Sequence, residues 1–213
     1  MKKTLLNDGW AFFKGVDSPA KAAGAVCERV NLPHTWNNFD GQDGGGDYLR
    51  CACLYVRKIA VQKAAGRVYY LEFKGVNSIA EVYVNGSKVA RHEGGFGTFR
   101  VNVTEALADG ENEIAVVADN SPNDYVYPQS ADFTFFGGIY RDVYLIEAGE
   151  SRFDLDYFGG SGVAIVSVPQ GDGSANVDVR AFVSSPADGQ NVLVRTCFAG
   201  KVIAARELAA AEK

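Results

Sequence analysis

"IAEVYVNGSKVAR", Ile79 to Arg91, decides the fold class. Its first six residues alternate, with Ile79, Glu81 and Tyr83 on one side and Ala80, Val82 and Val84 on the other, the period of a strand with one face on a core. Asn85-Gly86 then offers two residues that tolerate positive φ, which a type I′ turn requires at both central positions, and Lys88 to Arg91 return as a second strand. A β-hairpin is the reading.

The same logic extends in both directions. RVYYLEF (67 to 73) sets Val68, Tyr70 and Glu72 against Tyr69, Leu71 and Phe73, and TFRVNV (98 to 103) puts Phe99, Val101 and Val103 on one face. Thr104 is placed to N-cap a single helical turn, TEALADG, closed by Gly110. ENEIAVVAD (111 to 119) returns to strand. Strands recur roughly every 10 to 15 residues and sustained helical periodicity is almost absent, so residues 1-148 read as an antiparallel, jelly-roll β-sandwich. In TFFGGIYRDV (134 to 143), Gly137 and Gly138 allow a tight backbone passage. Ile139 to Leu145 are expected as the closing strand, with Arg141 held by a carboxylate.

After GESR (149 to 152) aromatics thin out and Val, Ala, Ser and Gly take over. VAIVSV, NVDVRAFVSS, NVLVRTCF and KVIAARELA read as four more strands, where an immunoglobulin-like sandwich needs about seven. Residues 149-213 are therefore read as a truncated immunoglobulin-like β-sandwich.

Composition narrows the partners. The 213 residues are 47% hydrophobic and 12% aromatic, with 24 glycines, as expected of a globular chain with many turns. Net charge is −5 and the 21 basic residues are scattered, which argues against nucleic acid and against an anionic membrane surface. No apolar run approaches the roughly 20 residues of a membrane span. MKKTLLNDGW has two lysines but no apolar stretch for a signal peptide, so the chain reads as soluble; its localisation stays open, with a periplasmic or secreted parent as one alternative. Cys27, Cys51, Cys53 and Cys197 lack CxxC spacing and, with only His34 and His92, make no zinc site; no metal and no cofactor are expected. Cys51 and Cys53 share one side of a strand, where a direct bridge would be strained, and free thiols are the expectation.

Several stretches together, LPHTWNNFDGQDGG (32 to 45), YVRK (55 to 58), FKGVNSIAEVYVNGSKVARHEGGFGTF (73 to 99), GENEIAVVADN (110 to 120) and GGIYRDVYL (137 to 145), resemble the N-terminal sugar-binding domain of family 2 glycoside hydrolases. That family holds β-galactosidases, β-glucuronidases and β-mannosidases. One departure is Cys51-Ala52-Cys53-Leu54, where members often carry a glycine and a tryptophan before Tyr-Arg. The resemblance implies a non-catalytic N-terminal part of a retaining β-glycosidase, β-galactosidase ranked first and β-glucuronidase or β-mannosidase as alternatives. It further implies a carbohydrate ligand and a catalytic barrel whose residues lie beyond Lys213.

Retaining hydrolysis needs two carboxyl groups about 5 Å apart, one kept protonated by its surroundings. Asn112-Glu113 mimics the family's acid/base dipeptide but falls in a polar turn, and no residue of this chain is read as catalytic. What remains is a contribution to the pocket. The loop 40 to 48 offers Asp40, Asp43 and Asp47 as acceptors for sugar hydroxyls; a calcium reading is weak, because the DxDxDG order is missing. The loop 118 to 133 carries Asp119, Asn120, Asp124 and Asp132. Asp43, Asp119 and Asn120 are the residues the resemblance implies for substrate binding. Phe133, Phe135, Phe136 and Tyr140 lie alongside, as packing or as a stacking platform for sugar C–H faces. His34, His92, Trp10 and Trp36 are expected to be structural. An autonomous carbohydrate-binding module and a purely structural β-sandwich remain the rival classes.

Overall fold

The computed structural model describes residues 1–40, 47–127, 131 and 133–210, and within them the chain is all-β apart from one 3-10 turn, Pro19–Lys21. It divides into two compact units, Met1–Ala148 and Gly149–Lys213.

The first unit comprises β1 (Lys2–Leu5), β2 (Trp10–Phe13), β3 (Glu28–Val30), β4 (Ala52–Val61), β5 (Arg67–Phe73), β6 (Ile79–Val84), β7 (Ser87–Glu93), β8 (Phe99–Asn102), β9 (Gly110–Asp119) and β10 (Val143–Gly149). Six strands form one sheet in the order β3-β2-β4-β9-β6-β7 and four form the other, β1-β10-β5-β8. Between them lies a core in which Tyr55, Val82, Val84, Val116 and Ala118 of the larger sheet share one cluster with Tyr69, Leu71, Phe73, Phe99, Val101 and Val143 of the smaller. The alternation read in each strand thus sends the expected set inward, and removal of this apolar area from water supplies most of the driving force.

The β6–β7 turn has φ of 50° at Asn85 and 79° at Gly86, as a type I′ turn demands. Asn85 does more than tolerate that φ. Its Oδ1 accepts from Glu113 N at 2.9 Å, and its Nδ2 donates to Ala106 O at 3.0 Å and Asn112 Oδ1 at 2.9 Å. Asn112 is itself buried and staples the turn before β9 through Ala108 and Gly110. In place of the expected helical turn there is a hydrogen-bonded turn with Leu107 N donating to Val103 O, and Asn102 Oδ1, not Thr104, accepts at its start from Thr104 N. Thr104 Oγ1 instead accepts from Tyr69 N at 2.8 Å, tying the turn to β5.

The closing strand starts later than the sequence implied, at Val143 rather than Ile139. Residues 139–142 are used otherwise: Ile139 O accepts from His34 N and Asp142 O from Lys74 N, while Asn7 Oδ1 accepts from Val143 N. Arg141 lies over the Tyr140 ring and donates to Phe96 O, and among the described residues no carboxylate pairs with it.

Glu72 faces away from the core on β5 yet is fully buried, because three cations close over it. Lys3 Nζ stands at 2.7 Å, Lys74 Nζ at 3.0 Å and Arg100 Nε at 2.6 Å. Burial alone would push its carboxyl up; hydrogen bonds from the three cations overturn that and hold it down at about 2.

The second unit has β11 (Arg152–Phe153), β12 (Val163–Pro169), β13 (Ala175–Ala181), β14 (Val183–Ser184), β15 (Asn191–Phe198) and β16 (Lys201–Ala209). They pair as β11–β14, β12–β13 and β15–β16. NVDVRAFVSS is split into β13 and β14 at Phe182, whose backbone turns to Gly162 and Asp154. Among the described residues only Asp154, Leu155, Val183 and Gly162 are buried here, and Ile165, Val177, Leu193 and Ile203 are exposed.

Two outcomes are expected. Because the Glu72 carboxyl titrates lower in the folded chain than in the unfolded, its contribution is full above pH 4.5 and fades as pH falls toward 2. Urea melts of Glu72→Gln should therefore show an acid limb flatter by about 2 kcal/mol than the parent's, the lysines' solvent exposure limiting the figure. Asn85→Ala should lower the urea midpoint by an amount equivalent to roughly 2 kcal/mol, from three lost hydrogen bonds and a β-carbon forced into left-handed backbone.

Candidate functional site

β4 and β6 begin, and β9 ends, at one end of the sandwich, with Ala52 and Ile79 both paired to Asp119. The described residues of the segments 31–51, 74–78, 94–98 and 120–142 meet there. Two of them are long, and long connections need polar groups of their own to hold a shape.

Asn120 is the brace. Its side chain is fully buried, with Oδ1 accepting from Cys51 N at 2.9 Å and Nδ2 donating to Asn37 Oδ1 at 3.2 Å and Leu49 O at 3.3 Å. Asn37, equally buried, accepts from Gly137 N at 2.9 Å and donates to Leu49 O and to Asp40 Oδ2. Trp36 Nε1 adds a third donor to Leu49 O. The two long segments are thereby stitched through two carboxamides. At Gly137 a β-carbon would lie 2.3 Å from the Trp36 ring and 2.7 Å from Asn120 Nδ2. At Gly138, φ is 122° and a β-carbon would lie 2.6 Å from His34 O. The tight passage expected at these glycines is real, and it is what lets the carboxamides meet.

Asp119 ends β9, half-buried, with Oδ1 accepting from Ser121 N at 2.8 Å and its backbone oxygen accepting from Ser78 N and Oγ. Asp43 lies outside the described residues, as does Asp132. Of the other carboxylates in the first loop, Asp40 accepts from Leu49 N and then Asn37, which holds it below its usual range, and Asp47 pairs with Arg50 to the same effect. Both are spent on their own loop. Asn120 likewise presents no exposed surface, so its role in this geometry is to position its neighbours.

The aromatic residues are not core. Phe133 is 62% exposed, Phe96 58% and Phe136 40%, and with Asn77, Thr134, Phe135 and Tyr140 they line a small cleft of about 120 Å³. Phe96 stacks on Tyr127 at 5.0 Å, and Phe133 meets Phe135 at 4.8 Å with the rings tilted by 38°. Asn77 anchors the floor, donating from Nδ2 to Phe136 O and accepting at Oδ1 from Tyr127. Apolar ring faces beside the Asn77 carboxamide and the Thr134 and Tyr140 hydroxyls can hold a molecule with C–H faces and hydroxyl edges. Asn37 and Asn77 were not singled out by the sequence; only their place inside the stretches that carry the resemblance pointed to them.

His34 and His92 are structural. His34 Nδ1 stands 2.8 Å from Tyr55 Oη, and His92 stacks on Phe99 at 4.0 Å; burial lowers the pKa of both rings. Trp10 and Trp36 are buried. Among the described residues no group of three His, Cys, Asp or Glu side chains is arranged to hold a metal ion.

Residues 29–149 match the model of the glycosyl hydrolases family 2, sugar binding domain. A β-glucuronidase of Bacteroides fragilis is 35% identical over 189 residues, which is 87% of this chain and 26% of that protein. A β-galactosidase of Thermoanaerobacter pseudethanolicus is 34% identical over 136 residues, 62% of this chain and 18% of that protein. Among solved structures, an FMN-binding β-glucuronidase from Faecalibacterium prausnitzii superimposes with a TM-score of 0.84 at 38% identity, covering 98% of this chain and 32% of that one. The chain thus spans a third or less of the length of these relatives. With more than half of its residues inside the family's domain, and the sandwich and its loop end built as described, the chain belongs to glycosyl hydrolase family 2.

Proposed function

We propose that this chain is the non-catalytic N-terminal part of a retaining β-glycosidase that removes terminal β-linked sugars, and that its loop end partly lines the substrate pocket. The observation that carries the reading is the Asn120–Asn37 brace, which fixes Asp119 and the aromatic cleft at one end of a rigid sandwich. In this reading Asp43 and Asp119 accept hydrogen bonds from sugar hydroxyls, and Asn120 acts by holding the loop. The two hydrolytic carboxyl groups belong to a barrel domain of the longer protein. The rings of Phe133 and Phe96 exclude water beside the sugar, which strengthens each polar contact there.

For the sugar, the sequence favoured β-galactosides. The names of the relatives in hand favour β-glucuronides, because the curated relative that spans most of this chain and the solved structure of higher identity are both β-glucuronidases. β-Glucuronide is the first reading and β-galactoside the second. An autonomous carbohydrate-binding module is the rival class.

The longer protein should hydrolyse p-nitrophenyl β-glucuronide faster than the β-galactoside, read as the ratio of kcat/KM; the reverse ratio overturns the order of sugars. Calorimetry of the present chain with either sugar should show no binding tighter than roughly millimolar, because most pocket walls are missing. Micromolar binding would instead establish the binding-module reading. Asp119→Asn keeps an acceptor for Ser121 N but removes the charge, and should lower kcat/KM of the longer protein about 10-fold with an unchanged melting temperature. Asn120→Ala leaves Cys51 N and the Asn37 carboxamide short of partners, and should cost roughly 2 to 4 kcal/mol of stability in urea melts.

A further inference from the structure

We propose that Cys51 and Cys53 form an oxidation site, converted by a hydroperoxide to an intramolecular disulfide that loosens the Asn120 brace. The two Sγ atoms already stand 3.5 Å apart, so a bond of about 2.05 Å needs a closure of roughly 1.5 Å. Rotamers that point both sulfurs at one another remove part of the strain expected of cysteines two apart on a strand.

The pair is asymmetric in a way that gives each sulfur a role. Cys51 is half-buried and within reach of a small oxidant, whereas Cys53 is fully buried, and burial pushes its thiol up. Cys51 is therefore the sulfur that meets the peroxide, and Cys53 resolves. The Cys51 sulfur attacks one peroxide oxygen, the S–O bond forms as the O–O bond breaks, and the departing oxide leaves as water or alcohol with the thiol proton. The Cys53 sulfur then attacks the sulfenic sulfur of Cys51. The S–S bond forms, the S–O bond breaks, and hydroxide leaves as water with the Cys53 proton. Each sulfur is oxidised by one electron and the hydroperoxide is reduced by two.

The backbone shows where the closure would be absorbed. Cys53 is locked in the β4 ladder opposite Ala118. Cys51 precedes the strand, and its own backbone is tied chiefly by its N–H to Asn120 Oδ1, its carbonyl receiving Asn120 N at a long 3.4 Å. Cys51 is thus the end that moves, and what it pulls on is the residue that joins the 31–51 and 120–142 segments. Cys27 and Cys197 are exposed and belong to other parts of the chain, which makes them internal controls.

The chain is treated with hydrogen peroxide, quenched with an alkylating reagent and digested with trypsin, which cuts at Arg50 and Arg57 and releases both sulfurs on one peptide. The expected product is that peptide lighter by two hydrogens and unalkylated, with Cys27 and Cys197 alkylated. Recovery of Cys51 and Cys53 both alkylated, a bridge to Cys27 or Cys197, or sulfinic acid without a bridge would each overturn the proposal. In Cys53→Ser, dimedone should trap a sulfenic acid at Cys51. The effect on the brace is read at Trp36, whose Nε1 bonds Leu49 O: oxidation should shift the tryptophan emission, dithiothreitol should restore it, and Cys51→Ser should show no shift. A bridge that forms with emission unchanged overturns the loosening.

Discussion

A buried carboxamide has four hydrogen-bonding sites and no water to fill them, so it must be placed where protein groups come to it from several directions. Asn120 meets that demand by sitting where β4 starts and β9 ends, with Cys51, Leu49 and Asn37 around it. Everything at the loop end depends on this requirement. Asn37 carries it on to Gly137, and the glycine's missing side chain leaves the space in which the Trp36 ring fits. The aromatic cleft then inherits its position from backbone that has no regular secondary structure, beside Asp119 at the end of β9.

Much of the sandwich was legible because its signals are local. Asn85-Gly86 fixes a turn by the φ its residues tolerate, and the period-2 patterns of 67–73, 79–84 and 98–103 fix which face goes inward. The alternation separates Glu72 from Tyr69, Leu71 and Phe73, but nothing nearby in sequence announces that Lys3, Lys74 and Arg100 would converge to bury it. The strand start at Val143 was misjudged for the same reason: Ile139 to Asp142 look like strand, and distant partners claim them, His34 and Lys74 through the backbone oxygens of Ile139 and Asp142 and Asn7 through the Asp142 carboxylate. Asn120 was singled out for its polarity, and its geometry turned that polarity inward. In these loops the chemistry of a residue is visible in sequence, while the direction it faces is a property of packing.

The two halves of the chain differ in how they satisfy apolar side chains. In the first unit both sheets turn a hydrophobic face to a shared core. In the second, hairpins β12–β13 and β15–β16 alternate apolar residues that stay exposed, Ile165, Val177, Leu193 and Ile203 among them. A two-stranded ribbon is marginal without a covering layer, so the stability of the chain resides mainly in residues 1–148.

The pairing of β1 carries one further implication. Among the described residues Lys2 to Leu5 find their ladder only against Tyr144 to Glu147, and Lys3 also reaches across to Glu72. On a ribosome this strand is made long before β10 and waits, unpaired, until Tyr144 to Glu147 follow. A lysine pair is a good escort for such a strand, since charge on an unpaired edge discourages premature pairing with the wrong chain.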